Sequence, residues 1–157
     1  MKYLLLWMLV VLPVMAGEPT LVYLVRHAEK VDDSRDADLS ERGLKRAAEL
    51  AAFFEKIEVN QLYASQFQRT QKTLQPLADA KGLKLAIISA GEPEQLIESV
   101  RGHAGKTIVI AGHSNTLPDL IARLGAGEVT IADDAYRNLF LVILNEDGAV
   151  LQNFQLP

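Results

Sequence analysis

Thr20-Leu21-Val22-Tyr23-Leu24-Val25-Arg26-His27 is the stretch on which the fold turns. Its first six residues are apolar or β-branched with little alternation, and the run ends on charge. Such a segment reads as a strand buried on both faces, as in a parallel sheet. A second run of the same kind, Thr107-Ile108-Val109-Ile110-Ala111, also leads through Gly112 to a histidine, His113. Between and around them, helical and extended patterns alternate. Ser40 can cap a helix whose apolar stripe is Leu44, Ala47, Ala48, Ala51 and Phe54. Residues 59–64 read as a strand, residues 66–81 as a helix closed by Gly82, and residues 83–89 as a strand. Pro93 opens a helix to about Arg101 with Leu96, Ile97 and Val100 inward, and residues 115–124 form another ended by Gly125. Residues 139–144 and 149–154 flank Asn145-Glu146-Asp147-Gly148, a hairpin signal. Strands alternating with helices predict an α/β fold. It is a three-layer α/β/α sandwich, with a mostly parallel sheet covered on both faces and a C-terminal antiparallel hairpin.

The chain of 157 residues and 17.3 kDa suits one core, expected over residues 17–157. It is 49% hydrophobic and 23% charged, which excludes a disordered or collagen-like chain. Cysteine is absent, so disulfides, thiolate zinc sites and thiol nucleophiles are excluded. A net charge of −4 and a pI of about 5.4 argue against nucleic acid as a partner. Residues 1–16 combine Lys2, a short apolar run and small residues at Val14 and Ala16. That is the pattern of a secretory signal peptide cleaved after Ala16. The run is shorter than a membrane span, so no stable anchor is expected after cleavage, and the address is periplasmic or secreted.

In sheets of this kind ligands bind beyond the carboxyl ends of the strands. Two strands end at His27 and His113, and the strand ending at Ala64-Ser65 leads into a helix carrying Arg69 one turn in. With the three strands adjacent, Arg26, His27, Arg69 and His113 converge on one rim. Two guanidinium forks match phosphate oxygens. Arginines depress the histidine pKa values and a bound phosphate raises them. A neutral His27 lone pair could attack phosphorus while His113 and the arginines neutralise the other oxygens. Backbone N–H groups from Ser114 or Asn115 would add to the same anion site. His27 and His113 lack a His-x-x-x-His spacing, so hydrolytic zinc is not expected. Asp32, Asp33, Asp36 and Asp38 lack the glycine turn and terminal glutamate of a calcium loop and read as a solvated loop that could face substrate. Asp133-Asp134 reads as a turn, and His103 as an exposed loop residue. No metal and no cofactor is expected.

The residues that carry this chemistry resemble four motifs of the histidine phosphatase superfamily, the phosphoglycerate-mutase-like enzymes. Leu24-Val25-Arg26-His27-Ala28-Glu29-Lys30 resembles its Arg-His-Gly signature. Leu39-Ser40-Glu41-Arg42-Gly43 resembles the Leu-Thr/Ser-x-x-Gly stretch that opens its first helix. Ser65 to Thr73 resembles its Ser-x-x-x-Arg-x-x-x-Thr motif, and Gly112-His113-Ser114-Asn115-Thr116 its second histidine motif. The resemblance spans nearly all of residues 20–125. It implies that His27 becomes phosphohistidine and that Arg26, Arg69 and His113 form the phosphate pocket. Serine after His113 is similar to the mutase-type branch rather than the acid-phosphatase and phytase branch. Ala28 replaces the usual glycine, and the asparagine that mutase-like members often carry is absent from residues 30–38. The branch places its general acid between the arginine helix and the second histidine. Here Glu92, on a loop after a strand, is preferred over Glu94 and Glu98.

Length and the leader favour an exported metal-independent phosphatase acting on a small phosphorylated substrate, a sugar phosphate or an envelope glycolipid. Two alternatives stand beside it. One is a phosphohistidine protein phosphatase or a mutase, which the short chain resembles in size or in branch. The other is a non-catalytic phosphate-binding domain.

Overall fold

The computed structural model describes residues 17–156, so residues 1–16, expected to be a signal peptide, lie outside it. Ten elements follow in chain order: β1 (Thr20–Arg26), α1 (Glu41–Phe53), β2 (Gln61–Ala64), α2 (Gln68–Lys81), β3 (Leu85–Ile87), α3 (Pro93–Arg101), β4 (Thr107–Gly112), α4 (Thr116–Arg123), β5 (Asn138–Asn145) and β6 (Gly148–Gln155). The six strands form one sheet in the order β3-β2-β4-β1-β5-β6. β3, β2, β4 and β1 run parallel, β5 is antiparallel to β1, and β6 is antiparallel to β5. The two long apolar strands are therefore neighbours, with Arg26 opposite Gly112. That register sets both histidines at the same end of the sheet.

Strand pleating divides the core in two. Val22, Leu24, Ile108 and Ile110 face Ile97 and Val100 of α3 and Leu117, Leu120 and Ile121 of α4. Tyr23, Val25, Val109 and Ala111 face Leu50 of α1, Phe54 just beyond it, and Leu74 and Leu77 of α2. Helices on both faces of a mostly parallel sheet make the three-layer sandwich. At the C-terminal hairpin Asn145 pairs with Gly148, leaving Glu146 and Asp147 as the turn. Gly148 has φ 136°, a region closed to residues with a Cβ.

The helical phase of α1 differs from the predicted stripe. Leu44 is 52% exposed, and the buried face is Gly43, Arg46, Ala47 and Leu50. Ala47 and Phe54 belong to both readings, so the apolar spacing alone permits either. Docking at the N-terminus selects one of them. Ser40 donates its N–H to the Glu29 carbonyl (2.9 Å) and its Oγ accepts from Gly43 N–H (3.1 Å). A Cβ on Gly43 would lie 2.3 Å from that same carbonyl oxygen. Arg46 then turns inward and grips the Glu29 carboxylate at 2.6–3.0 Å. Burial works against that carboxylate, but its bonds to Arg46 outweigh it and keep the Glu29 pKa below its ordinary value.

Other elements are shorter than their patterns suggest. β3 keeps three residues of a longer apolar run because it is an edge strand, with Ile87 half exposed. α2 begins at Gln68 rather than residue 66. There the Asp36 carboxylate accepts from Gln68 N–H at 2.8 Å and caps the helix start.

Candidate active site

β1 and β4 end side by side, and the His27 N–H continues the ladder by donating to the Gly112 carbonyl (2.9 Å). The imidazoles of His27 and His113 stand 5.3 Å apart between ring centres, both buried. His27 Nδ1 lies 2.8 Å from the Ala28 carbonyl oxygen. A carbonyl only accepts, so Nδ1 carries the proton and Nε2 keeps its lone pair. His113 has the opposite arrangement. Its Nδ1 faces Arg69 Nη2 at 3.5 Å, and a guanidinium only donates. Nε2 therefore carries the proton and donates to Ser65 Oγ (2.9 Å). Ser65 can pass the polarity on to Thr70 Oγ1 (2.8 Å), which donates to the Phe67 carbonyl at the same distance.

Both histidines are neutral in the free protein. Burial is the largest cause and lowers each pKa to about 4. Arg26 and Arg69 push in the same direction for both rings. For His27 the Ala28 carbonyl opposes the fall without reversing it.

The arginines are fixed from behind. Arg26 lies over the Tyr136 ring (4.3 Å) and donates through Nη1 to the carbonyls of Ala132 (3.3 Å) and Asp133. Arg69 lies over the Phe67 ring (4.4 Å) and donates through Nη1 to the Arg35 carbonyl (3.0 Å). The Nε–H of each guanidinium is buried and has no partner among the described residues. Two buried cationic donors without acceptors are costly unless an anion meets them. His27, Phe67, Arg69, Ala90, His113, Ser114, Asn115 and Thr116 line one open pocket.

Arg26, His27, Arg69, His113 and Ser114 are thus brought together, Arg26 from behind the pocket wall. Glu92 is not placed with them. Its side chain sits exposed at the start of α3 and makes no hydrogen bond or ion pair among the described residues, two positions beyond Ala90. Glu94 faces away and pairs with Arg123 at 2.7 Å, and Glu98 is exposed.

Sequence reasoning missed the residues that hold the site. Ser65 and Thr73 stand in the quoted arginine-helix motif. Ser65 orients His113, while Thr73 Oγ1 accepts from Ala28 N–H (2.9 Å) and donates to the Arg69 carbonyl (2.7 Å). That side chain ties the loop after His27 to the helix of Arg69. The Asp133 turn meets Arg26 and Ser114 rather than standing apart, a contact that no local pattern could announce across more than a hundred residues. The acidic loop is likewise committed to structure. Asp36 caps α2, Asp38 pairs with Lys72, and Asp33 pairs with Lys30 (2.9 Å). His103 is half-buried, closing α3 with a 2.7 Å contact from Nδ1 to the Ser99 carbonyl.

Residues 22–90 match the family model described as histidine phosphatase superfamily (branch 1). That match covers less than half of the chain and marks a similarity to that family. Solved structures with the same fold share little sequence. A phosphoserine phosphatase from Entamoeba histolytica, in complex with 3-phosphoglyceric acid, is 18% identical with a TM-score of 0.69, covering 88% of this chain and 98% of that one. The protein histidine phosphatase SixA complexed with tungstate is 18% identical with a TM-score of 0.69, covering 87% and 96%. A mycobacterial glucosyl-3-phosphoglycerate phosphatase is 13% identical with a TM-score of 0.67, covering 88% and 99%. A search of curated proteins finds no match. The family match ends before the second histidine, so the place of His113 rests on the fold, through the pairing of β4 with β1.

Proposed function

We propose that the protein is an exported, metal-independent phosphatase that hydrolyses phosphomonoesters through a phosphohistidine on Nε2 of His27. One observation carries the reading. The Ala28 carbonyl holds the Nδ1 proton, so the Nε2 lone pair is free in a pocket lined by Arg69, and the buried Nε–H groups of Arg69 and of Arg26, the neighbour of His27 in the chain, lack acceptors among the described residues. A phosphate monoester meets every demand of that arrangement. Its oxygens satisfy the guanidinium donors, and its phosphorus stands before an imidazole that is neutral at physiological pH. The dianion draws a proton onto Nδ1 of His113, which then donates to a transferring oxygen. Charge stabilisation and positioning are the main requirements of phosphoryl transfer, and these side chains supply both without a metal.

Hydrolysis is favoured over transfer to a second hydroxyl because the chain has few residues to spare for a cover over the site. Export rests on the leader of residues 1–16, and an exported enzyme of this size suits a small, accessible substrate such as a phosphorylated sugar or an envelope glycolipid. The likeness to SixA supports phosphohistidine on a protein as the second substrate class to try.

The test is turnover of p-nitrophenyl phosphate, sugar phosphates and a phosphohistidine peptide by the purified protein, with and without EDTA, beside His27→Ala. Turnover that survives EDTA, is inhibited by vanadate and is lost in the variant is the expected result. Phosphate binding without turnover points instead to a non-catalytic anion-binding domain. Recovery of the chain with residues 1–16 intact in the cytoplasm contradicts export.

A further inference from the structure

We propose that Asp133 donates the proton to the leaving oxygen and later takes one from the attacking water. The inference rests on the phosphatase reading above. Ser114, on the pocket wall beside His27, donates its Oγ–H to Asp133 Oδ1 at 3.0 Å. The same oxygen lies 3.8 Å from Arg26 Nη2. Arg26 Nη1 also donates to the Asp133 carbonyl, so the backbone of this turn is fixed against the arginine that neighbours the nucleophile. The Asp133 side chain is 92% exposed, and its other carboxylate oxygen has no partner among the described residues. In-line attack from Nε2 sends the leaving oxygen to the side of phosphorus opposite His27.

The other carboxylates near the site are engaged or apart. Asp36, Asp38, Glu29 and Glu94 each hold a helix start or a cation, and the Glu92 side chain bonds to no pocket residue among the described residues, whereas Asp133 meets Ser114.

The two steps balance. In the first, the Nε2–P bond forms and the P–O ester bond breaks. The electron pair stays on the ester oxygen, which takes the Asp133 proton. In the second, the Asp133 carboxylate takes a proton from water, the water oxygen bonds to phosphorus, and the N–P pair returns to Nε2.

The experiment measures kcat/KM for dinitrophenyl, p-nitrophenyl and alkyl phosphates with the unaltered protein, Asp133→Asn, Asp133→Glu and Glu92→Gln. Asparagine keeps the shape and the acceptor for Ser114 but holds no transferable proton. Asp133→Asn is expected to lose about 10²–10⁴-fold on the alkyl phosphate, the usual worth of a general acid, with little change on dinitrophenyl phosphate, whose phenol leaves unaided. Asp133→Glu restores part of the alkyl activity. A uniform loss across leaving groups, with weaker inhibition by inorganic phosphate, shows that Asp133 only holds Arg26 and overturns the proposal. A steeper leaving-group dependence in Glu92→Gln in place of Asp133→Asn overturns it as well. Failure of the unaltered protein to cleave even dinitrophenyl phosphate defeats the parent reading instead. Thermal unfolding of each variant separates a lost proton donor from a lost fold.

Discussion

At the scale of single residues the site works by holding two imidazoles neutral that would otherwise titrate near physiological pH. Burial and two arginines lower both pKa values to about 4. The rings then differ only in where the remaining proton sits, and that is decided by one acceptor apiece: the Ala28 carbonyl for His27 and Ser65 Oγ for His113. Proton NMR of the ring hydrogens should show both histidines neutral at pH 6, with protonation delayed to about pH 4. Saturation with phosphate should raise the His113 midpoint, because the anion replaces arginine repulsion by attraction at Nδ1. Midpoints near 6.5 in the free protein would contradict the buried, cation-flanked site. The grouping of His27, both arginines and His113 was legible because each stands at a strand end or opens a helix. The supports Thr73 and Ser65 were quoted in a motif without a role. A hydroxyl's partner is set by a crossing of elements rather than by its neighbours in sequence.

At the scale of elements, α1 shows what an apolar period does and does not settle. The stripe through Ala47 and Phe54 identifies a helix, yet the pattern on either side allows two rotations. The choice is made by a polar contact, Ser40 and Gly43 seated on the Glu29 carbonyl, that brings Arg46 inward in place of Leu44. Because Glu29 follows two residues after His27, the same contact braces the loop after His27 from one side while Thr73 braces it from the other. Gly43→Ala places a methyl group against backbone, with no flexible side chain to yield. It should cost about 1–3 kcal/mol in urea unfolding, the range of overpacked sites. It should lower activity as the loop after His27 shifts. An alanine variant as stable and as active as the unaltered protein would remove this account of the glycine.

At the scale of the whole molecule, the strand order does the gathering. Placing β4 between β2 and β1 brings together residues 27, 69 and 113, which belong to three separate strand-helix units. The fold class and the strand-end histidines were readable from two apolar runs, but their adjacency is a property of the sheet. The buried neutral histidines also couple the site to stability. Their folded pKa values lie below the unfolded value, so between about pH 6.5 and 4 the unfolded chain binds protons that the folded chain refuses. Stability should therefore fall as pH drops through that window, and His113→Asn should flatten part of the slope in urea titrations. A slope unchanged by the substitution would mean that His113 is not held neutral. The most direct measurement is to quench the protein during turnover of a 32P-labelled monoester and map the label. An acid-labile, base-stable phosphoryl group on Nε2 of His27, absent in His27→Ala, is the predicted result. Label on any other residue, or none under conditions where turnover is seen, would contradict it.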